Sequence, residues 1–320
     1  MASTVGPGKD YSSLSAAEAA LQADISAGPA TEIECYAFED TTQVNFTGWT
    51  TSATGYIRIY TPTAERHDGT PGTGYRLVAG PAFDRLFVIT EQYVRLDGLA
   101  FKHTASTANT NDGDVAIRSY ARLDGVCDVR IENCLIYGAA RGAIELHGGV
   151  HKVVNCSIYG VKDGIKSTYS FSDPSDSIYN CTVSASNNGI IAANSSQTVK
   201  NCYVSATSGQ EFSASNQTRT TCAHASASVW SSSTASIAYD TGNFVNVTAG
   251  SEDLHLASGA SSTLKTGGTD LSADATYAFS TDIDGDTRSD WGIGVDELVA
   301  AAATANHRVI GGGFGGRVIC

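Results

Sequence analysis

Short apolar strands recur at a regular interval in the middle of the chain. The segments VRIENCLIYG, HKVVNCSIYG, SIYNCTVSAS and VKNCYVSATS each lead through an Asn-Cys pair into an apolar stretch. Their cysteines, Cys134, Cys156, Cys181 and Cys202, are 22, 25 and 21 residues apart. The earlier segment VRLDGLAF matches VRIENCLI, with Leu99 at the position of Cys134. A period of this length is too short for a helical repeat and fits one coil of a parallel β-helix.

The repeat predicts where the cysteines point. In a parallel β-helix each strand pairs with its counterpart one coil away, at ~4.8 Å, and alternate side chains face a narrow core. We therefore interpret the four cysteines as one inward column of small apolar side chains. Equivalent residues on adjacent coils point in the same direction, which is poor geometry for a disulfide. A second marker is a glycine shortly before an isoleucine: Gly142 before Ala143-Ile144, Gly164 before Ile165 and Gly189 before Ile190.

The two ends of the chain differ from the repeats. Residues 10–24, DYSSLSAAEAALQAD, predict a helix that begins with a capping box of Ser15 and Glu18. Such a helix would cover the open end of the solenoid. Strands are predicted at 31–37, 55–61 and 76–80. We divide the chain into an N-terminal arm with capping helix (1–30), a solenoid with its closing segment (31–297) and an Ala/Gly-rich C-terminal arm (298–320).

Charge and hydropathy narrow the range of functions. The formal net charge is −13 and the sequence pI about 4.8, which disfavours nucleic acid as a partner. No stretch approaches the ~20 apolar residues of a membrane span, so we expect no membrane insertion. The opening MASTVGPGKDYSS lacks the apolar core of a secretory signal peptide. We therefore expect synthesis in a cytoplasm without a Sec signal, with exit inside an assembly such as a virus particle; the alternative is that a signal peptide was removed from this sequence.

Several segments resemble a known superfamily. GPGKDYSSLSAAEAAL, GWTTSATGYIRIYTPTAERHDGTPGTGYRL and the repeats are similar to right-handed parallel β-helix proteins of the pectin-lyase-like superfamily. NFVNVTAGSEDLHL followed by DIDGDTRSDWGIGVDE resembles a closing motif of such proteins. The resemblance covers nearly all of 5–297 and departs from the pattern at SGASSTLKTGG. It implies an all-β, right-handed parallel β-helix solenoid with a short N-terminal capping helix. Because the superfamily holds lyases, hydrolases, phage tailspikes and inert coils, the activity stays open.

One candidate site is a column of charged residues on the outside of the predicted coils. Stacking three isoleucines as inward residues defines the column: Ile117, Ile144 and Ile165. The outward residues beside them are Arg118, Glu145 and Lys166, with His147 two positions after Glu145. A polysaccharide lyase needs a base and a cation that holds the substrate carboxylate, and this column offers both. A ladder of alternating surface charges is the alternative interpretation.

Two acidic loops are further candidates. The excursion at 103–114 contains His103, Asp112 and Asp114. Paired carboxylates can hydrolyse glycosides, although TNDGD is also an ordinary polar turn. The loop DIDGDTRSD offers possible Ca²⁺ ligands at Asp282, Asp284, Asp286 and Asp290. Its spacing departs from the EF-hand pattern, and bonds to the backbone and to Arg288 would hold the same loop as a structural turn without an ion. We predict no other cofactor.

Aromatic residues could also form a platform for sugar rings. The candidates are Trp49, Trp230, Trp291, Tyr137, Tyr159, Tyr169 and Tyr203. Tyr137 and Tyr159 fall in register on successive coils, so stacking within the solenoid explains them equally well.

These features favour a virion structural protein of a tailed phage, either a capsid decoration or a tail component. The rigid solenoid would act as a spacer or adhesive surface. Its partners would be other virion proteins or copies of itself, bound through the terminal arms and the β-helix faces, and host-surface polysaccharide. The alternative is a polysaccharide lyase or glycoside hydrolase acting on acidic or capsular polysaccharide.

Overall fold

The chain winds into an all-β solenoid of parallel strands, which confirms the fold class predicted from the repeats. The structure is a computed structural model. It describes residues 2–79, 85–104, 114–120, 128–138, 141–169, 175–193, 196–213, 215–226 and 234–298.

Twenty-four strands are assigned in these ranges. In chain order they are β1 Ser3–Val5, β2 Thr31–Cys35, β3 Glu39–Asp40, β4 Val44–Phe46, β5 Ile57–Tyr60, β6 Arg76–Ala79, β7 Arg85–Ile89, β8 Val94–Asp97, β9 Ala100–His103, β10 Val115–Ser119, β11 Val129–Glu132, β12 Leu135–Tyr137, β13 Gly142–His147, β14 His151–Val154, β15 Ser157–Tyr169, β16 Ser175–Tyr179, β17 Thr182–Ala192, β18 Ser196–Lys200, β19 Tyr203–Ala206, β20 Gln217–Thr220, β21 Cys222–His224, β22 Thr234–Ser236, β23 Phe244–Asn246 and β24 Asp253–Leu256. The helices are α1 Leu14–Leu21, a 3-10 turn at Thr63–Glu65, and α2 Ser262–Thr266.

Each complete coil contributes strands to three faces. The first face is a nine-stranded parallel sheet in the order β1-β2-β5-β8-β11-β14-β16-β18-β20. The second face runs β3-β6-β9-β12-β15-β17-β19-β21-β22. The third face contains β4, β7, β10 and β13, and then the later halves of β15 and β17. β15 and β17 are long enough to belong to both the second and the third face.

The cysteine column lies inside the solenoid, as the repeat predicted. Cys134, Cys156, Cys181 and Cys202 are fully buried with free thiols, and Leu99 is buried at the start of the same series. Cys222 extends the column by one coil. The Asn-Cys pattern does not include Cys222, because Thr221 stands in place of the asparagine. Burial raises the pKa of each thiol in the column, so the sulfur atoms act as small apolar groups.

The asparagine before each cysteine forms the corner between the first and second faces. All four asparagines have a positive φ of 48° to 52°, a left-handed conformation that asparagine adopts more readily than most residues. Asn155 donates its side-chain amide to Asn133 (3.2 Å), and Asn201 donates to Asn180 (3.2 Å). The corner is therefore lined by stacked amides, which explains why asparagine recurs there.

The predicted alignment of Gly142, Gly164 and Gly189 on successive coils was only partly correct. Ile165 pairs with Ile190, which aligns Gly164 with Gly189, whereas Gly142 pairs with Asp163 and stands one position out of register. A Cβ atom at Gly189 would lie 2.1 Å from Val204 Cγ1. Gly189 is thus required by close packing of successive coils.

The N-terminal residues cover one end of the core, with different details from those predicted. α1 begins after Ser13, whose hydroxyl accepts a hydrogen bond from Ala16 N–H, so the Ser15/Glu18 capping box was wrong. Glu18 instead accepts the indole N–H of Trp49 (3.2 Å). Part of the predicted arm is β1, which pairs with β2 as the first strand of the sheet.

The C-terminal residues fold back on the outside of the second face. The antiparallel pair β23–β24 and α2 place Phe244, Leu254 and Leu264 in a second apolar core with Tyr203. The segment 264–297 then runs along the asparagine corner. The predicted arm at 298–320 lies outside the described residues, apart from Leu298. No helix in the described part of the chain is long and apolar enough to cross a membrane.

The carboxyl group of Glu132, on the first face, is expected to make the stability of the fold depend on pH. It stands in register with Asp97, and burial, together with the Asp97 charge, raises the pKa of Glu132 to about 7. Since the folded chain then binds a proton more tightly than the unfolded one, stability is expected to fall as the pH rises from about 4.5 to about 7. Glu132→Gln should remove this dependence and raise the free energy of unfolding above pH 7 by about 2 kcal/mol. Denaturation curves on either side of that interval measure the effect. Equal pH dependence in both proteins would contradict it.

Candidate functional site

The predicted charged column exists on the third face. Arg118 pairs in register with Glu145, and Glu145 with Lys166, while Ile117, Ile144 and Ile165 stack in the core beside them. The alignment of these coils was therefore correct. The column is less exposed than predicted, because Arg118 and Glu145 are only 6% and 5% exposed.

Glu145 is surrounded by positive and aromatic groups. Its carboxylate forms an ion pair with Arg118, and its Oε1 lies 3.4 Å from Nε2 of His147. The His147 ring stacks on Tyr120 (5.0 Å between centroids), and its Nδ1 bonds the hydroxyl of Thr168 (2.7 Å). Burial would raise the pKa of Glu145, but His147, Arg118 and Lys166 outweigh it and lower this pKa. Glu145 is therefore ionised at neutral pH and could accept a proton or hold a cation.

A small cleft lies beside this column. Its volume is about 30 Å³, room for about one water molecule, and it is lined by Asp114, Val115, Arg141, Gly142, Ile144, Glu145, Asp163, Gly164 and Lys166. Asp114 is buried and lies 3.2 Å from Nδ1 of His103, so the two sequence candidates form a buried pair. Asp112 lies outside the described residues. The structure thus brings Glu145, Lys166 and Asp114 to one cleft, with His147 beside Glu145.

The acidic loop at 282–290 closes on itself through Asp282. Its Oδ1 accepts the backbone N–H groups of Asp284 (3.1 Å) and Asp286 (2.9 Å). Burial raises the pKa of Asp282 to about 6, against the effect of Arg288. Among the described residues, Asp284 is the one predicted ligand that belongs to a cluster of potential metal ligands, and its neighbours there come from outside the loop. Ca²⁺ binding by the four aspartates stays a prediction.

A second, larger groove lies between the second face and the C-terminal fold. It measures about 730 Å³ and is lined by Glu39, Pro71, Gly72, Arg76, Lys102, Tyr137, Gly138, Tyr159, Gly160, Ala249, Gly250 and Glu252. Tyr137 and Tyr159 are in register with ring centroids 5.7 Å apart. The Tyr159 hydroxyl is buried and has no hydrogen-bond partner among the described residues.

The predicted aromatic platform is not one surface. Trp49 packs beside Phe46, Trp291 packs on Phe279, and the Tyr203 hydroxyl donates to Ile237 O inside the second core. Of the described candidates, Tyr137 and Tyr159 share a groove. Trp230 and the side chain of Tyr169 lie outside the described residues.

A serine, a histidine and an aspartate from three coils meet at the corner after the third face. His151 Nδ1 lies 2.8 Å from Asp176 Oδ1, and its Nε2 lies 3.0 Å from Ser119 Oγ. This order matches the nucleophile–base–acid arrangement of hydrolases. However, Ser119 is fully buried and His151 is 1% exposed. Further along the solenoid, Gln197 bonds Ser167 (2.7 Å) in the corresponding way. The corner is therefore a buried polar ladder, which the sequence could not reveal without the register of the coils.

Comparisons with known proteins give no further assignment. No protein-family model matches the chain, and searches of curated proteins and of solved structures found no significant match. The residues and their geometry therefore carry the functional argument.

Proposed function

We propose that the protein is a virion structural protein of a tailed phage, in which the solenoid serves as a rigid spacer or adhesive surface. The observation that carries the proposal is the uninterrupted nine-stranded sheet of the first face. At ~4.8 Å per strand it forms a rod about 40 Å long. A kinship with the right-handed, pectin-lyase-like β-helix proteins is part of the same proposal.

The terminal segments cover one end and one face of this rod. α1 buries Leu14 and Ala17 against one end of the core, and the C-terminal fold covers the outside of the second face. A cover on the end of a solenoid blocks association of its exposed strand edge with other chains. Attachment would then fall to the remaining faces and to the arm at 298–320.

Particle incorporation tests this proposal. Purified phage particles made with the full chain should contain it, whereas a chain ending at residue 297 should fold but be absent from the particles. Quantitative mass spectrometry measures incorporation, and circular dichroism of the shortened chain checks its fold. A full chain that is soluble and never associated with particles would contradict the proposal.

The cleft beside Glu145 favours a second candidate, a polysaccharide lyase or glycoside hydrolase. It combines an ionised carboxylate with Arg141 and Lys166, so a base and a cation line one cavity. A lyase would use Glu145 to remove a proton next to a uronate carboxylate that the cations hold. The larger groove beside Tyr137 and Tyr159 is lined by Arg76, Lys102 and Glu252, whose charged groups would bind a longer chain of sugars.

Depolymerisation assays distinguish the two candidates. If the enzyme proposal is correct, the full chain should release unsaturated or reducing ends from acidic or capsular polysaccharide, and Glu145→Gln should lower the rate by at least about 100-fold. Glu132→Gln, on a different face, should keep the rate. Equal rates for both variants would exclude Glu145 as the base.

A further inference from the structure

Three potential metal ligands converge where the C-terminal fold meets the solenoid. They are His255 on β24, Asp284 in the acidic loop and Asp296 near the end of the described chain. One nitrogen or oxygen atom from each residue lies within 4.8 Å of the others. Asp296 uses its Oδ2 to accept Leu256 N–H (2.7 Å), which leaves its other oxygen for a further partner.

The histidine is held in the orientation that a metal ligand requires. Its Nδ1 bonds the carboxylate of Asp253, which leaves Nε2 facing Asp284. This Nε2 is buried and lies 3.0 Å from Asp284 Oδ2, yet it makes no hydrogen bond of standard geometry within the described residues. A carboxylate on one ring nitrogen commonly fixes a histidine whose other nitrogen binds a metal. The imidazole ring of His255 fits here because residue 69 is a glycine: a Cβ atom at that position would lie 2.2 Å from His255 Cε1.

We propose that His255, Asp284 and Asp296 form a binding site for a divalent transition-metal ion, with Asp253 as the positioning carboxylate. One imidazole nitrogen and two carboxylate oxygens suit Zn²⁺, with water in the fourth position. Ca²⁺ prefers an all-oxygen set, so it fits less well. The ligand set differs from the loop predicted from the sequence, which shares only Asp284 with it.

The ion would fasten the C-terminal fold. It would join β24 to the acidic loop and to the segment around Asp296, and it would offset the repulsion between two neighbouring carboxylates. A proton on His255 competes with the metal ion for this site. The same carboxylates raise the pKa of His255 to about 10, against the effect of burial. A protonated His255 would hold the same residues together without an ion, so the two states must be separated by direct binding.

Isothermal titration calorimetry distinguishes metal binding at this site from protonation of His255. The full chain, freed of metal by a chelator, is titrated with ZnCl₂ and separately with CaCl₂. We expect one Zn²⁺ site that is lost in Asp284→Asn and that weakens by about 10–100-fold in Asp253→Asn. Asp286→Asn is the matched control, since Asp286 is exposed in the same loop and belongs to no ligand cluster in the described structure. This control should bind Zn²⁺ like the unsubstituted chain.

Three results would overturn the proposal. The first is a chain that binds no Zn²⁺. The second is equal Zn²⁺ binding by the Asp284→Asn and Asp286→Asn variants, which would place the ion elsewhere. The third is binding of Ca²⁺ in preference to Zn²⁺. Circular dichroism checks that the Asp284→Asn variant is folded. We expect it to fold, because Asp284 is exposed.

Discussion

Replacing Arg288 with methionine is expected to lower the free energy of unfolding by about 3–5 kcal/mol. The guanidinium is buried and donates to Thr281 O (3.3 Å), Asn155 Oδ1 (3.2 Å), Gly294 O (3.1 Å) and Val295 O (2.8 Å). Asp282 and Glu297 lie around it, so its loss leaves buried carboxylates without their cation. Chemical denaturation measures the change in stability. Limited proteolysis should show faster cleavage within 269–297.

Arg58→Met is the matched control for this prediction. Arg58 also bonds two carboxylates, Glu32 (3.1 Å) and Asp97 (3.4 Å), but its side chain is 36% exposed. Ion pairs of this kind contribute less than about 1 kcal/mol, because water screens them. Equal losses in the two variants would show that burial does not set the importance of Arg288.

Asn180→Ala is expected to destabilise the chain by about 3–4 kcal/mol. The buried amide donates to Gly292 O (3.2 Å) and Gly294 O (3.3 Å), and its oxygen accepts from Asn201 (3.2 Å). These partners lose their bonds in the variant. Alanine at a φ of 48° adds backbone strain, which costs roughly 1–2 kcal/mol. Thermal or chemical denaturation measures the sum.

The Asn180→Gly variant separates the loss of the amide hydrogen bonds from the backbone strain at a positive φ. Glycine loses the same amide bonds but adopts a positive φ without strain, so this variant should be about 1 kcal/mol more stable than Asn180→Ala. If the two variants are equally stable, the corner conformation makes no contribution. If both resemble the unsubstituted chain, the amide ladder is unimportant for stability.

The charged column shows which of its features could be predicted from the sequence. The spacing of Ile117, Ile144 and Ile165 correctly aligned Arg118 with Glu145 and Lys166, because side-chain direction in stacked strands follows from position alone. It did not predict that Arg118 and Glu145 are buried. Their exposure depends on neighbours such as His147 and Tyr120, whose positions are set by packing.

The capping box failed for a related reason. Ser13 is the residue before α1 and Ser15 lies in its first turn, but the S-x-x-E spacing favoured Ser15 as the cap. In the structure Glu18 bonds Trp49 and Thr47, which belong to the next part of the coil. A tertiary contact therefore overrode a local rule, and the helix began two residues earlier.

The sequence by itself determined the coil. A period near 22 residues, marked by an asparagine followed by a small apolar residue, is a local pattern that repeats, and stacking similar units leaves few possible arrangements. The tertiary structure alone decided which distant residues meet, such as His255 with Asp284 and Asp296, or Ser119 with His151 and Asp176. These groups come from different coils or from a segment that folds back. Their proximity depends on where loops end and on how the C-terminal fold docks, which no repeat in the sequence encodes.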